Sequence, residues 1–192
     1  MSLPVLFGVF VLATSIALWA KSRSQEVARV NSSIDDRSYL VLHLPDRQQA
    51  ADLLARINQA CGKLTTHLAA KHGDKPCVHR LRNKYRAEAL SEGSPDNGYA
   101  GVTSYSINKG EKIVVCLRQP ESNAFVELNV LLYVVFHELA HLMTLSIGHT
   151  PEFWDNFKFM LKEAVDAGLY TRVDYAKQNE EYCGIVIKQS VI

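Results

Sequence analysis

The stretch AFVELNVLLYVVFHELAHLMTL, residues 124–145, decides how the rest of this chain must fold. Between Leu128 and Met143 it is apolar on nearly every side, so a helix here has no face to offer to water and has to be covered all round. A membrane span is excluded, because Glu127, Asn129, His137, Glu138 and His141 would each need a partner in hydrocarbon. The stretch is therefore expected to be a buried helix that carries ionisable groups. His137 and His141 are four residues apart and project from one helix face, while Glu138 is turned aside. This is the HExxH spacing, in which two imidazoles reach a single zinc ion and the glutamate serves as general base toward water. Two histidines and a glutamate buried without a purpose would cost several kcal/mol of desolvation, and metal coordination removes that difficulty.

A catalytic zinc keeps three protein ligands and leaves a fourth position open. His149 is one candidate for the third: the helix rises only about 6 Å from His141 to Leu145, and the extended residues past Gly148 can bring the chain back. The alternatives are the acids that follow, Glu152, Asp155 and Glu163, of which Glu163 is best placed on a helix that could face the first. His43, His67, His72 and His79 lack such spacing and are read as ordinary surface or core residues.

Working outward, Thr150-Pro151-Glu152 supplies an N-cap, a first-turn proline and a first-turn acid. A last helix follows, with Phe153, Phe157, Met160, Leu161, Ala164 and Val165 as its apolar stripe and Gly168 as its C-cap. The tail, 182–192, reads as extended. Upstream, 103–107 and 112–118 are strand-like runs joined through Gly110 as a hairpin. Residues 78–91 give a weaker helical pattern through Val78, Leu81, Tyr85 and Ala89, and SEGSPDNGYAG after it is a loop. YLVLHL, 39–44, reads as a strand, and Asp46 with Gln49 has capping-box spacing for a long helix. Ala50, Leu53, Leu54, Ile57, Ala60, Cys61, Leu64 and Leu68 fall at steps of three and four along it, and Gly73 lies beyond its end.

The N-terminal run LPVLFGVFVLATSIALWA, 3–20, is uncharged and just long enough to cross hydrocarbon as a helix. Lys21, Arg23 and Arg29 follow it, which places that side in the cytoplasm. A cleaved signal peptide would want a basic stretch before the run and a small-x-small site after it. The expected organisation is a transmembrane anchor at 1–22, a polar linker at 23–38 and one folded domain at 39–192, hence a single-pass membrane protein with a cytoplasmic domain. The 192 residues leave no room for a second large domain, and a net charge of +1 gives no overall bias toward nucleic acid or lipid. Cys61, Cys77, Cys116 and Cys183 lie far apart without a CxxC pair and are read as reduced thiols.

HELAH at 137–141, followed by GHTPEFWDNF at 148–157, resembles the WLM metalloprotease family and the related SprT-like peptidases. Gly148-His149 and Phe153-Trp154 carry the match, although the step from His141 to His149 is longer than is commonest there. The resemblance implies an α+β, zincin-like metallopeptidase domain with a small β-sheet over the HExxH helix. It also implies zinc held by His137, His141 and His149, with Glu138 as the base. The expected function is a membrane-anchored zinc metalloendopeptidase acting on protein or peptide, and the rival is a catalytically inactive tethered binding protein with a peptidase fold. The family's association with proteins crosslinked to DNA is not carried over, since this chain has no basic tail, and no obligate protein partner is evident. Tyr105, Arg118 and Tyr182 are candidates by type for stabilising an oxyanion.

Overall fold

The computed structural model describes residues 27–93 and 104–192. A five-stranded mixed sheet forms one layer, with β1 (Val27–Asn31), β2 (Ser38–Leu42), β3 (Leu90–Gly93), β4 (Tyr105–Ile107) and β5 (Lys112–Cys116) in the order β1-β2-β3-β5-β4. The two edge pairs are antiparallel, whereas β2 with β3 and β3 with β5 are parallel. Helices α1 (Arg47–His72) and α2 (Pro76–Lys84) lie in the connection from β2 to β3, since a parallel neighbour can be reached only by a long crossover. The expected α+β arrangement with a small sheet is thus corrected to a mixed α/β fold. β1, which makes the outer pair with β2, falls within the stretch read as a linker.

α3 (Leu128–Met143) is the apolar helix, and α4 (Pro151–Asp166) follows it. α3 packs against α1, α2, α4, β4 and β5, which is the all-round cover that its composition requires. The first residues of 124–145 are not helical: Phe125 bridges to Arg118 and Val126 donates its amide to the Leu117 carbonyl. α1 buries Ala50, Leu54, Ile57, Cys61, Leu64 and Leu68 as its spacing predicts, with Leu53 and Ala60 only partly covered. The helix read over 78–91 stops at Lys84 and gives way to a short 3₁₀ turn and β3.

The transmembrane helix expected at 1–22 lies outside the described residues. Among the described residues no helix is long and apolar enough to cross a membrane, and the single-pass, anchored architecture is withdrawn on that finding. The two nearest helices fail for opposite reasons. α1 has 26 residues but exposes Gln49, Arg56 and Lys63. α3 is apolar but has 16 residues, or about 24 Å of helix against a hydrocarbon core of about 30 Å.

Two further corrections come from partners distant in sequence. Asp46 makes no side-chain cap on α1; its Oδ2 instead accepts from Nη1 of Arg118 at 2.6 Å. Arg118 is 1% exposed and also donates Nε to Glu92 Oε1 at 2.7 Å, while Glu92 Oε2 accepts the Leu42 amide at 2.7 Å. A buried guanidinium needs such compensation, and it captures the carboxylate that the helix end would otherwise use. Cys116 and Cys183 are not free thiols but form a disulfide between β5 and the turn of a separate hairpin, β6 (Glu180–Tyr182) with β7 (Ile185–Ile187). Cys61 and Cys77 are free, as read.

The disulfide closes a long loop, so Cys183→Ser should lower unfolding free energy by about 2–4 kcal/mol. Urea unfolding of the wild type in excess dithiol should show the same loss. Coincident wild-type curves with and without dithiol would show that the crosslink contributes nothing.

Candidate metal centre

His137 and His141 lie one turn apart on α3 with ring centroids 5.1 Å apart. After Met143 the chain leaves the helix, turns at Gly148 with φ +82°, and returns His149 to the same place. His149 Nε2 sits 2.9 Å from His137 Nε2, and its ring is 5.0 Å from that of His141. One ligand atom from each of the three histidines falls within 4.8 Å of the other two. α4 supplies the backing, with Phe153 stacked on His141 at 4.3 Å and edge-on to His137 at 4.8 Å, and Phe157 5.3 Å from His137.

Burial, then the neighbouring His141 and His149, push the pKa of His137 down to about 3. Burial, His149 and Lys109 likewise bring His141 down to about 4. Both rings are therefore neutral at pH 7, the protonation state in which an imidazole offers a lone pair to a metal. Three imidazole nitrogens converging within 4.8 Å form a donor set that would suit one zinc ion. Neutral nitrogen donors in a shared cluster fit zinc better than the oxygen-seeking calcium or magnesium.

Glu138 lines the same cleft as the three histidines, meets Ser106 of β4 and is 6% exposed. Burial raises its pKa to about 7, opposed in part by the hydroxyl and amide of Ser106. A carboxyl poised there can both take and return a proton near neutral pH. The histidines and Glu138 open on a cleft of about 710 Å³. One wall is β4 and its turn, with Tyr105, Ser106 and Lys109; another is the β6–β7 hairpin, with Tyr182, Ile185 and Ile187.

The other sequence candidates are placed elsewhere. Arg118 is committed to its ion pairs and does not line the cleft. Tyr105 and Tyr182 do line it, and the Tyr182 hydroxyl already donates to the Cys116 carbonyl at 3.0 Å. Glu152 accepts from the amides of Leu145 and Ser146, and Asp155 joins no metal-competent group among the described residues. Glu163 lies against the far end of α1, where it meets His67 at 2.9 Å, Lys71 at 3.0 Å and His72 at 2.9 Å. His43 and His79 are exposed. Sequence reasoning named Tyr105 and Tyr182 but missed Ser106, Lys109 and the Ile185–Ile187 strand of the hairpin as parts of the site. Only the hairpin pattern at 103–118 could have pointed to the first two, and nothing local marks the third.

The chain belongs to the WLM domain family, whose model matches residues 35–183. It is 31% identical over 199 aligned positions to an uncharacterised protein of Acanthamoeba polyphaga mimivirus, with all of both chains covered. It is also 34% identical over 85 residues to an uncharacterised protein of Invertebrate iridescent virus 6, covering 43% of this chain and 46% of that one. Among solved structures it is similar to Wss1 from Saccharomyces cerevisiae, at 20% identity and a TM-score of 0.46, over 65% of this chain and 85% of that one. A Wss1 mutant from S. pombe aligns at 22% identity and a TM-score of 0.43, over 65% of this chain and 92% of that one.

Glu163 gives a direct test of which acid serves the site. Burial raises its pKa, but Lys71, His72 and His67 outweigh that and hold it at about 2, below the ordinary 4.5. A depressed folded pKa contributes stability that is complete above pH 4.5 and is lost as pH falls toward 2. Glu163→Gln should therefore flatten the acid limb of the stability profile between those values while zinc affinity is unchanged. Loss of zinc from Glu163→Gln would put the acid in the metal site.

Proposed function

We propose that this chain is a zinc-dependent endopeptidase in which His137, His141 and His149 hold one zinc ion and Glu138 is the general base. The observation that carries this reading is the convergence of three imidazoles within 4.8 Å beside a buried glutamate on the same helix. Among the described residues no fourth histidine, cysteine or carboxylate joins the group, which favours an open catalytic position over a closed structural site. When bound, zinc supplies Lewis-acid polarisation of the scissile carbonyl and makes water a usable nucleophile near neutral pH.

The chain's own residues account for the proton. Glu138 accepts it from the attacking water and returns it to the departing amine, which needs a carboxyl whose pKa lies near the working pH. Burial puts it there, at about 7, and Ser106 keeps it from rising further. Substrate geometry is suggested by β4, which among the described residues ends the sheet with no partner strand on its outer side. Tyr105 and Ser106 of this edge line the cleft, so an extended peptide could add there as a further strand. That favours unfolded or loop segments of a protein over folded ones.

Glu138→Gln preserves size and much of the hydrogen bonding but cannot take up a proton. The purified variant should carry about one zinc per chain and cleave an unfolded protein substrate slower by about 10²–10⁴-fold. Metal content is read by atomic absorption and turnover by fragment analysis on a peptide library. Wild-type turnover in a zinc-loaded variant would remove Glu138 from the mechanism. A wild-type protein that binds zinc but cleaves nothing in the library would turn the reading to a non-catalytic binding protein.

A further inference from the structure

The third histidine stands on a segment with no secondary structure. α3 ends at Met143 and α4 begins at Pro151, so the last carbonyls of α3 have no helical amide partners. Burial holds only its first residue, Thr144 at 0% exposed, whose hydroxyl donates to the Ala140 carbonyl and accepts from Asn156; beyond it Leu145 is 68% exposed and Ile147 is 90% exposed. Past Thr144, a Ser146–Thr150 hydroxyl contact at 2.7 Å is joined by charged side chains from three other elements. The Lys109 ammonium lies 2.9 Å from the Thr144 carbonyl, 2.6 Å from that of Leu145 and 3.2 Å from that of Ser146. Arg80 on α2 donates Nε to the Met143 carbonyl at 2.6 Å.

The amides of the same loop are held from the opposite side. Glu152, in the first turn of α4, accepts the Leu145 amide at 3.1 Å, the Ser146 amide at 3.3 Å and the Ser146 hydroxyl at 3.0 Å. Arg80 Nη2 completes the set by donating to Glu152 at 3.2 Å. Lys109 is itself held in place by its turn, because Asn108 and Lys109 are in the left-handed region at φ 48° and 53°, followed by Gly110 at φ 107°. A Cβ on Gly110 would come within 2.8 Å of Leu142, so the turn rests directly on the last turn of α3.

The geometry points to Lys109 and Glu152 as positioning residues for the metal site: together they order residues 144–148 so that His149 is presented to His137 and His141 before metal arrives. All three ammonium donors of Lys109 are spent on consecutive carbonyls of one loop, the full capacity of that group. The alternative is a plain cap, a cation placed at a helix C-terminus that stabilises the fold and has no connection to His149. The inference rests on His149 being a zinc ligand, as proposed above.

The test is a double-mutant cycle on the full chain, with zinc affinity measured by competition with a chromophoric chelator and unfolding of the zinc-free protein followed alongside. Lys109→Met should weaken zinc about 10–100-fold, the usual effect of losing a group that orients a ligand. Lys109→Arg should recover most of that loss, since a guanidinium can also donate to several carbonyls. In a His149→Ala background Lys109→Met should cause no further loss, because coupled residues are not additive. An equal loss in both backgrounds, or none in either, would overturn the inference and leave Lys109 as a cap. If His149→Ala itself leaves zinc affinity unchanged, the ligand assignment fails and the inference falls with it. Should Lys109→Met fail to fold, Glu152→Gln takes its place in the same cycle with the same expected result.

Discussion

One constraint governs the molecule: α3 is apolar almost all round and also carries His137, Glu138 and His141. Leaving its apolar sides in water would forfeit about 25 cal/mol per Å² of covered surface, and covering its polar groups without partners would cost several kcal/mol each. The fold satisfies both demands by surrounding α3 with α1, α2, α4 and the β4–β5 edge of the sheet, while leaving a cleft at the histidine end. The core and the site are thus two ends of one packing solution.

Each covering element contributes one piece of chemistry because it is forced to lie where it does. β4 covers the side of α3 that carries Glu138, so Ser106 meets that carboxyl. α4 returns antiparallel cover through aromatic residues, and Phe153 stacks on His141 as a result. The β6–β7 hairpin belongs to neither layer and is tied to β5 through Cys116–Cys183 and through the Tyr182 hydroxyl, which brings Ile185 and Ile187 to the cleft. Tyr182 and Cys183 of this hairpin are buried in the same continuous core as the sheet and α3, and Ile187 packs against it.

The parts of this arrangement that depend on local pattern were legible in the sequence. α1, α3 and α4 follow from apolar residues at steps of three and four, the β4–β5 hairpin from its turn chemistry, and the pairing of His137 with His141 from helical geometry alone. What escaped depends on partners far away. β3 is only LSEG, too short and too polar to read as a strand, and it exists because β2 and β5 flank it and Arg118 neutralises Glu92. β1 is a strand for the same reason, lent order by β2. Asp46 has every local mark of a helix cap and is taken by Arg118 instead. The disulfide joins residues 67 positions apart, a distance over which spacing carries no information. The proposed third ligand sits between these extremes: His149 and the acids after it were all within reach by chain length, and Lys71, His67 and His72 draw Glu163 away from the histidine cluster.

A ligand on a loop raises a problem that a ligand on a helix does not. His137 and His141, the two proposed helix ligands, are ordered by the same hydrogen bonds and burial that build α3. Fixing the backbone of a free residue costs about 1–2 kcal/mol, and five residues from Thr144 to Gly148 would charge most of a moderate metal affinity to loop ordering alone. Burial cannot meet that cost where Leu145 and Ile147 face solvent. Charge-assisted hydrogen bonds from Lys109, Arg80 and Glu152 can, because they act mainly on backbone groups and leave the Leu145 and Ile147 side chains uncommitted. Ile147, 90% exposed, then lines the cleft together with Tyr105 and the β6–β7 wall. The same side chains that hold the loop leading to His149, the proposed third ligand, therefore also hold one side of the cleft, and the order of the histidine cluster and the shape of the cleft are set by a single group of contacts.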